Sequence, residues 1–283
     1  MDDPRVQVLG LCRFSYPAEL EGFQTRHETM EERRAALYDP ARMETRLFWF
    51  EHIALPGLRA QTRNDFTLLL LMGDDMPGQY HDRLMAMIAD VPQIRPVTRP
   101  AGPHRQVYRE ILHEARDSQA EMVAEFRLDD DDAVAVDYVQ MIRRSLGQVR
   151  PMFRQKGRVA LDQGKGVVVT AKGEAVTLTP LLTHCWAAAL TVFLKPGDDA
   201  CVMDFPHQKV WQRMPLVSHT DRLMFLRGAH ETNDSKVGFA GTGRYKVAPG
   251  AYPDLLQRRF AVDIDAFRTG WASLMRRLEA ARG

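Results

Sequence analysis

The feature that most constrains the fold is a regular alternation of apolar runs and amphipathic stretches over the first ~150 residues. Four short apolar runs predict strands, at residues 6–11, 66–72, 94–97 and 122–128. Stretches with apolar side chains at helical spacing follow or separate them, at residues 29–37, 45–60, 77–89, 104–115 and 138–149. The run at 66–72 is continuous rather than alternating, which is typical of a strand covered on both faces. This order predicts an α/β fold with a mostly parallel sheet flanked by helices.

The second half of the chain is less regular. Three short strands separated by Gly and Lys turns are predicted at residues 159–161, 167–170 and 175–178, as a meander or hairpin. Residues 183–192 fit either a helix or a strand, and residues 207–213 fit a short helix. The apolar stripe of residues 263–281 predicts a C-terminal helix. No linker separates the halves, so we expect one compact unit.

Charge and cysteine content exclude several classes of protein. A formal net charge of +1 gives no surface for nucleic acid, and we predict no nucleic-acid partner. The three cysteines, Cys12, Cys185 and Cys201, lack zinc-site spacing and are too few for a disulfide framework. No leader pattern is visible, and the longest apolar runs are too short to cross a bilayer. We therefore predict a cytoplasmic protein whose only membrane contact would be peripheral.

Four consecutive aspartates, Asp129–Asp132, follow the predicted strand at 122–128, and we call them the acidic tract. Two carboxylates about 4 Å apart repel by roughly 4 kcal/mol at an effective dielectric near 20. A divalent cation such as Mg²⁺ or Mn²⁺, which takes oxygen ligands, would offset this repulsion. The alternative is a solvated acidic turn at a helix start. Ligands of parallel sheets bind at the carboxyl ends of strands, where Arg13, Asp74 and Asp75 are also predicted to lie.

Several segments carry a family resemblance. Residues 125–132 resemble the DxD region of GT-A glycosyltransferases, and residues 55–66, with Gln61-Thr62 and Phe66, resemble their S-L-x-x-Q-T-x-x-x-F segment. Nearly the whole chain resembles the bacterial rhamnosyltransferase family. The motifs that carry this likeness are Arg13-Phe14 and residues 71–77, 127–132 and 226–233.

The resemblance implies a GT-A, Rossmann-like fold and a divided binding site. Residues 1–150 would form the nucleotide-sugar-binding half, and residues 151–283 the acceptor-binding half with β-hairpins and the C-terminal helix. The metal ion, Mn²⁺ or Mg²⁺, would be held by Asp129, Asp131, Asp132 and His230, with Asp130 a competitor because the register within the tract is uncertain by one. The nucleotide-diphosphate sugar would be bound by Arg13, Asp74, Asp75, Asp129, Asp130 and Arg227.

The implied reaction moves a sugar, such as rhamnose, from the donor to a hydroxyl of a glycan or other small acceptor. An enzyme that inverts the anomeric centre needs a base for that hydroxyl, and Asp204, His207 and Asp221 are the candidates in the second half. Each also fits a purely structural role, and an enzyme that retains configuration would need no such base. His230 likewise fits either a metal ligand or a loop residue.

Two other functions share parts of this pattern. A sugar nucleotidyltransferase would also have an α/β nucleotide-binding half and a metal, but it would usually have a Gly-rich loop after the first strand. Here that place holds residues 12–16, Cys-Arg-Phe-Ser-Tyr. A non-catalytic nucleotide- or carbohydrate-binding module is the second alternative.

Overall fold

A computed structural model describes residues 5–18, 29–233 and 238–281. The remaining residues of the two predicted halves, 1–150 and 151–283, lie outside the described ranges. Seven strands form the larger sheet, in the spatial order β10-β6-β9-β4-β1-β2-β3. The strands are β1 (Val6–Arg13), β2 (Thr67–Gly73), β3 (Ile94–Arg99), β4 (Met122–Asp129), β5 (Ala133–Val134), β6 (Val159–Gln163), β7 (Lys165–Lys172), β8 (Ala175–Leu182), β9 (Leu190–Leu194), β10 (Leu216–His219) and β11 (Phe225–Ala229).

Helices cover both faces of this sheet. They are α1 (Met30–Leu37), α2 (Pro40–Trp49), α3 (Leu55–Arg59), α4 (Gly78–Ile88), α5 (His104–Ala115), α6 (Tyr138–Arg144), α7 (Leu146–Lys156), α8 (Tyr252–Phe260) and α9 (Ile264–Ala280). Two apolar cores lie on the two sides of the sheet, because alternate residues of β1 and β4 face opposite ways. The predicted α/β fold with a mostly parallel sheet is confirmed.

The central strands set the position of the site. Strand β1 pairs in parallel with β2 and β4, and Arg13 lies opposite Asp129 in the register of β1 and β4. Leu9, Leu68 and Phe126 are fully or almost fully buried, as expected for strands covered on both faces. The carboxyl ends of β1 and β4 therefore meet at one edge of the sheet.

The second half of the chain contributes to the same sheet. Strand β9 runs antiparallel to β4 and β6, so β6 and β10 again run in the direction of β4. The predicted hairpin is formed by β7 and β8 alone, since β6 joins the larger sheet. The ambiguous residues 183–192 contain a short 3-10 turn, Ala187–Ala189, followed by β9.

A smaller sheet has the order β5-β11-β7-β8. Its strand β5 pairs antiparallel with β11, through Ala133 opposite Leu226. Because β4 belongs to the larger sheet and β5 to the smaller one, the residues between them join the two sheets. Those residues are the last three of the acidic tract.

The helical segment after α1 differs from its prediction in detail. It begins earlier, at Pro40, capped by the Asp39 side chain, and a π-helical turn at Phe50–Ala54 separates α2 from α3. Gln61, of the Gln-Thr segment, is buried and donates to the carbonyls of Gly57 (2.9 Å) and Ala135 (2.8 Å). Gln61 therefore fastens this segment to the chain just beyond the acidic tract.

None of the helices in the described ranges has the length and apolar character needed to cross a bilayer.

Candidate active site

The acidic tract forms a buried turn at the carboxyl end of β4. Asp130 and Asp131 are 1% exposed and Asp132 is 0% exposed. The turn is closed by the Asp132 N–H, which donates to the carbonyl of Asp129 at 3.1 Å. The tract is therefore not a solvated acidic turn, and its charges must be compensated inside the protein.

Three arginines provide that compensation. Arg13, on β1, donates to Asp129 at 3.0 Å. Arg46, on α2, contacts Asp130 through Nε and Asp131 through Nη1, both at 3.0 Å. Arg227, on β11, donates to Asp129 at 2.9 Å and also contacts Asp132. The carboxylate repulsion seen in the sequence is thus offset by guanidinium groups from three separate elements.

The segment 227–233 wraps around the tract. The Gly228 N–H donates to Asp132 Oδ1 at 2.9 Å, and a Cβ at Gly228 would lie 2.5 Å from the carbonyl oxygen of Asp131. Only glycine allows this approach of two backbones. Asn233 Nδ2 donates to Asp131 Oδ2 at 2.7 Å, and His230 Nε2 lies 3.1 Å from the same oxygen. The His230 ring also stacks on Trp49, with centroids 4.6 Å apart.

The carboxylates of the tract titrate differently. Burial would raise the pKa of Asp129, but Arg13, Arg227 and Arg127 outweigh burial and hold that pKa well below its usual range. In the same way, Arg46 and His230 lower the pKa of Asp131 despite its burial. Burial raises the pKa of Asp132 to about 8, assisted by the negative charges of Asp131 and Asp129.

A pocket opens beside the tract between β1, the first two helices and β11. Its lining includes Arg13, Arg33, Arg42, Arg46, Arg227, Asp129, Asp130, Asp131, Ser15, Tyr16, Tyr108 and Asn233. Ser15 adopts a left-handed conformation with φ 48°, which is uncommon for a residue other than glycine. Five arginines on one small pocket favour a ligand with several negative oxygens.

The carboxylates also fit a divalent cation. Ligand oxygens of Asp129, Asp131 and Asp132 lie within 4.8 Å of one another. Asp131 Oδ1 is buried and has no hydrogen-bond partner among the described residues. A hard cation takes several carboxylate oxygens at short range, so this set fits Mg²⁺ or Mn²⁺. Asp130 does not belong to this set of three carboxylates. His230 contacts one of the three, Asp131.

Asp74 and Asp75, predicted to bind the nucleotide-diphosphate sugar, do not line this pocket. Asp74 is exposed on the turn after β2, where its N–H donates to the carbonyl of Arg99. Asp75 accepts from the Tyr38 hydroxyl at 2.7 Å and contacts Arg34. Asp75 thus holds α1 against the end of β2.

The three candidate bases lie in different surroundings. Asp204 accepts from Arg109 at 2.7 Å and from the Cys201 N–H at 2.9 Å, closing a 3-10 turn at Val202–Asp204. Asp221 is exposed, and its nearest ion-pair partner is Arg222 at 3.9 Å. His207 is partly buried, and its Nδ1 lies 2.6 Å from the carbonyl oxygen of Cys185.

Of the three candidates, His207 is the one whose pKa is affected by the charges of Asp129 and Arg227. Burial, together with the positive charges of Arg127 and Arg227, lowers its pKa to about 4, although the Cys185 carbonyl and Asp129 oppose this shift. A carbonyl oxygen only accepts, so Nδ1 bears the proton and Nε2 has a free lone pair. The carbonyl that orients the ring belongs to Cys185, which has a left-handed φ of 54°.

The sequence prediction missed Arg46, Arg33, Arg42 and Asn233. Arg46 occurs on α2 between Met43 and Leu47 of its apolar stripe, and it is 6% exposed. A charged residue inside such a stripe must find a buried partner, and that is the signal that could have identified it. Asn233 lay within a recognised motif but received no role.

Comparison with solved structures gives distant likenesses. Fragment 1–349 of TarS from S. aureus in complex with UDP-GlcNAc is 9% identical, with a TM-score of 0.39, over 89% of this chain and 64% of that chain. The same fragment in complex with UDP is 11% identical, with a TM-score of 0.40, over 79% of this chain and 60% of that chain. A 4-diphosphocytidyl-2C-methyl-D-erythritol synthase from Anaerococcus prevotii is 10% identical, with a TM-score of 0.32, over 82% of this chain and 90% of that chain.

These likenesses are too weak to carry a functional conclusion. The chain spans about three fifths of the TarS fragment. A comparison with curated proteins found no match.

Comparison with protein families is more informative. The sequence model of the family described as "Putative rhamnosyl transferase" matches residues 7–242, which include the acidic tract and the segment 227–233. The match confirms the resemblance to this family seen in the sequence. The protein belongs to this rhamnosyl transferase family.

Proposed function

We propose that the protein transfers a sugar, rhamnose in the first instance, from a nucleoside-diphosphate donor to a hydroxyl group of an acceptor. The observation that carries the proposal is the arginine-lined pocket at the buried acidic tract. A diphosphate has several charged oxygens, and Arg13, Arg46 and Arg227 already stand in fixed positions there. Preorganised guanidinium groups stabilise charge that develops on a leaving diphosphate.

The same arginines explain how the pocket keeps its shape. Each is held by a carboxylate of the tract, so binding of a diphosphate requires little rearrangement of the side chains. Arg33, on α1, and Arg42, on α2, line the same pocket. The predicted division, with residues 1–150 binding the donor and 151–283 the acceptor, would place Arg227 as the main donor contact from the second half.

A divalent cation would be held by Asp129, Asp131 and Asp132, with His230 beside Asp131. When bound, such a cation supplies a Lewis acid that stabilises the negative charge of the departing diphosphate. Asn233 and Arg46 keep Asp131 in place through contacts of 2.7 Å and 3.0 Å. Asp130, bonded only to Arg46 among these groups, would then serve to position Arg46.

His207 is the base that the geometry favours for an inverting reaction. Its ring is neutral at pH 7, Nδ1 is fixed by Cys185, and Nε2 can accept the proton of the acceptor hydroxyl. Asp204 is committed to Arg109 and to its own turn, and Asp221 faces solvent.

A thermal-shift panel of nucleoside diphosphates, with and without Mn²⁺, tests donor binding. We expect one diphosphate to raise the Tm by about 2–4 °C near saturation, and more with Mn²⁺. Transfer from the matching nucleoside-diphosphate rhamnose should then be measured with acceptor glycans. Release of pyrophosphate from a nucleoside triphosphate and a sugar phosphate would instead identify a nucleotidyltransferase. Metal-dependent binding without donor hydrolysis or transfer would identify a binding module.

A further inference from the structure

A second group of metal-ligating side chains begins with Asp162, near the carboxyl end of β6. Asp162 is 1% exposed and accepts from the Ser218 hydroxyl at 2.8 Å. Within the described ranges no arginine or lysine forms an ion pair with it, and its nearest charged partner is His184, whose Nδ1 lies 3.4 Å from Asp162 Oδ2. This buried carboxylate therefore has little positive charge beside it.

The loop after β8 is held against the end of β6. The Thr183 N–H donates to the Gly164 carbonyl at 2.7 Å, and a Cβ at Gly164 would clash with the carbonyl oxygen of Thr183. Only glycine allows this approach of two backbones. The next two residues of the loop, His184 and Cys185, are thereby brought to Asp162.

The backbone at Cys185 turns both of these side chains toward the carboxylate. In an extended strand, neighbouring side chains point to opposite sides, but Cys185 has a left-handed φ of 54°. Ligand atoms of Asp162, His184 and Cys185 all lie within 4.8 Å of one another. Asp162 and Cys185 are buried, whereas the His184 side chain is 55% exposed. The group is therefore open to solvent on the side of His184.

The distances and the atom types fit a zinc ion. The 3.4 Å between His184 and Asp162 exceeds an ordinary N–H···O hydrogen bond of about 2.7–3.2 Å. It is close to the edge of a tetrahedron of ligands bound at about 2.0–2.1 Å, which is about 3.3 Å. Zn²⁺ takes nitrogen, sulfur and oxygen ligands together, whereas Mg²⁺ prefers oxygen alone. Spacing in the sequence does not reveal this set, because His184 and Cys185 are adjacent and Asp162 comes from another strand.

We propose that Asp162, His184 and Cys185 form a Zn²⁺ site, separate from the acidic tract, whose fourth position is open to a water or an outside ligand. Asp162 lies two strand spacings, about 10 Å, from β4. Ser218 orients the Asp162 carboxylate from outside the set. Burial, with the charge of Asp162, raises the pKa of Cys185 to about 12, so the metal displaces the thiol proton to solvent. The site does not depend on the proposed function.

The test uses Co²⁺ as the probe, because a thiolate ligand gives Co²⁺ a charge-transfer band in the near ultraviolet that carboxylates do not give. Saturating Mg²⁺ is present to occupy the acidic tract. We expect Co²⁺ to develop this band in the wild type and Zn²⁺ to remove it by displacement. Cys185→Ser should abolish the band, and His184→Gln should weaken Co²⁺ affinity by at least about 10-fold.

The other two buried cysteines give matched controls. Cys12→Ser and Cys201→Ser should both keep the band. Cys12 lies opposite Leu128, next to the acidic tract, so loss of the band in Cys12→Ser would place the thiolate signal at the tract and overturn the proposal. Asp131→Asn should also keep the band, since Asp131 belongs to the other set of carboxylates.

The remaining outcomes are equally decisive. Absence of the band in the wild type, or its persistence in Cys185→Ser, would overturn the zinc site. His184→Gln changes an exposed side chain and should keep the wild-type Tm without metal, so weaker Co²⁺ binding in this variant reports a lost ligand rather than unfolding. Equal Co²⁺ affinity in His184→Gln and the wild type would contradict the set of three ligands. If no nucleoside diphosphate binds, the proposed function fails, while the Co²⁺ band still decides the zinc site.

Discussion

Glu125 and Asp129 lie four residues apart on the same face of β4, yet their surroundings differ in kind. Glu125 accepts from Arg116 and from the Val202 N–H, both at 2.8 Å, and it is fully buried. Arg116 in turn donates to the carbonyls of Pro196, Asp198 and Ala200. Every charge in this pair is answered within the protein.

Asp129 is tied to Arg13 and Arg227, but those arginines also line a pocket. The pair at Glu125 is closed, whereas the pairs at Asp129 still face a cavity. The comparison teaches that a buried ion pair can serve the fold or a ligand. It serves the fold when all N–H groups of the arginine are bonded within the protein, and it can serve a ligand when the arginine also faces a pocket.

The sharpest way to break this comparison is Glu125→Gln. Removing one charge leaves Arg116 buried without a counter-charge, so we expect unfolding free energy to fall by about 3–5 kcal/mol. Urea denaturation measures the loss. Glu121→Gln, at an exposed pair with Arg150, is the matched control and should change stability by less than about 1 kcal/mol. Similar losses in the two variants would remove the distinction between closed and exposed pairs.

Comparing Asp131→Asn with Asp130→Asn tests the acidic tract, the region that faces the pocket. Asp131 belongs to the carboxylate set that fits a cation and Asp130 does not, although both contact Arg46. We expect Asp131→Asn to weaken Mn²⁺ affinity by about 10–100-fold and Asp130→Asn to change it much less. Calorimetric titration of Mn²⁺ in the presence of nucleoside diphosphate measures this. Equal losses, or Mn²⁺ binding unaffected by either change, would contradict the assignment.

The smallest effect concerns His207, whose pKa depends in part on the charges of Arg227 and Asp129 at the pocket. Its pKa is about 4 in the folded protein, lowered by burial and by Arg127 and Arg227 against Asp129. The unfolded ring has a pKa near 6.5, so between about pH 6.5 and pH 4 only the unfolded chain takes up this proton. Stability is therefore lost as the pH falls through that window.

We expect His207 to contribute about 1–3 kcal/mol to this loss. Urea denaturation at several pH values should show a shallower decline for His207→Gln than for the wild type. Identical pH dependence in the two proteins would show that His207 is not held neutral by its surroundings.

Much of the fold could be predicted from the sequence, because continuous apolar runs and helical stripes depend on local periodicity. Strands β1, β2 and β4 and helix α5 follow their predicted positions closely. The π-helical turn at Phe50–Ala54 has no such local signal, and the assignment of β6 to the larger sheet required its pairing with β9.

The candidate site divides in the same way. The sequence by itself determined that four aspartates follow a buried strand and that Arg13, Arg227 and His230 occur in recognisable segments. Only the tertiary structure decided which charges meet, since Arg46, Asp131 and Asn233 come from distant parts of the chain.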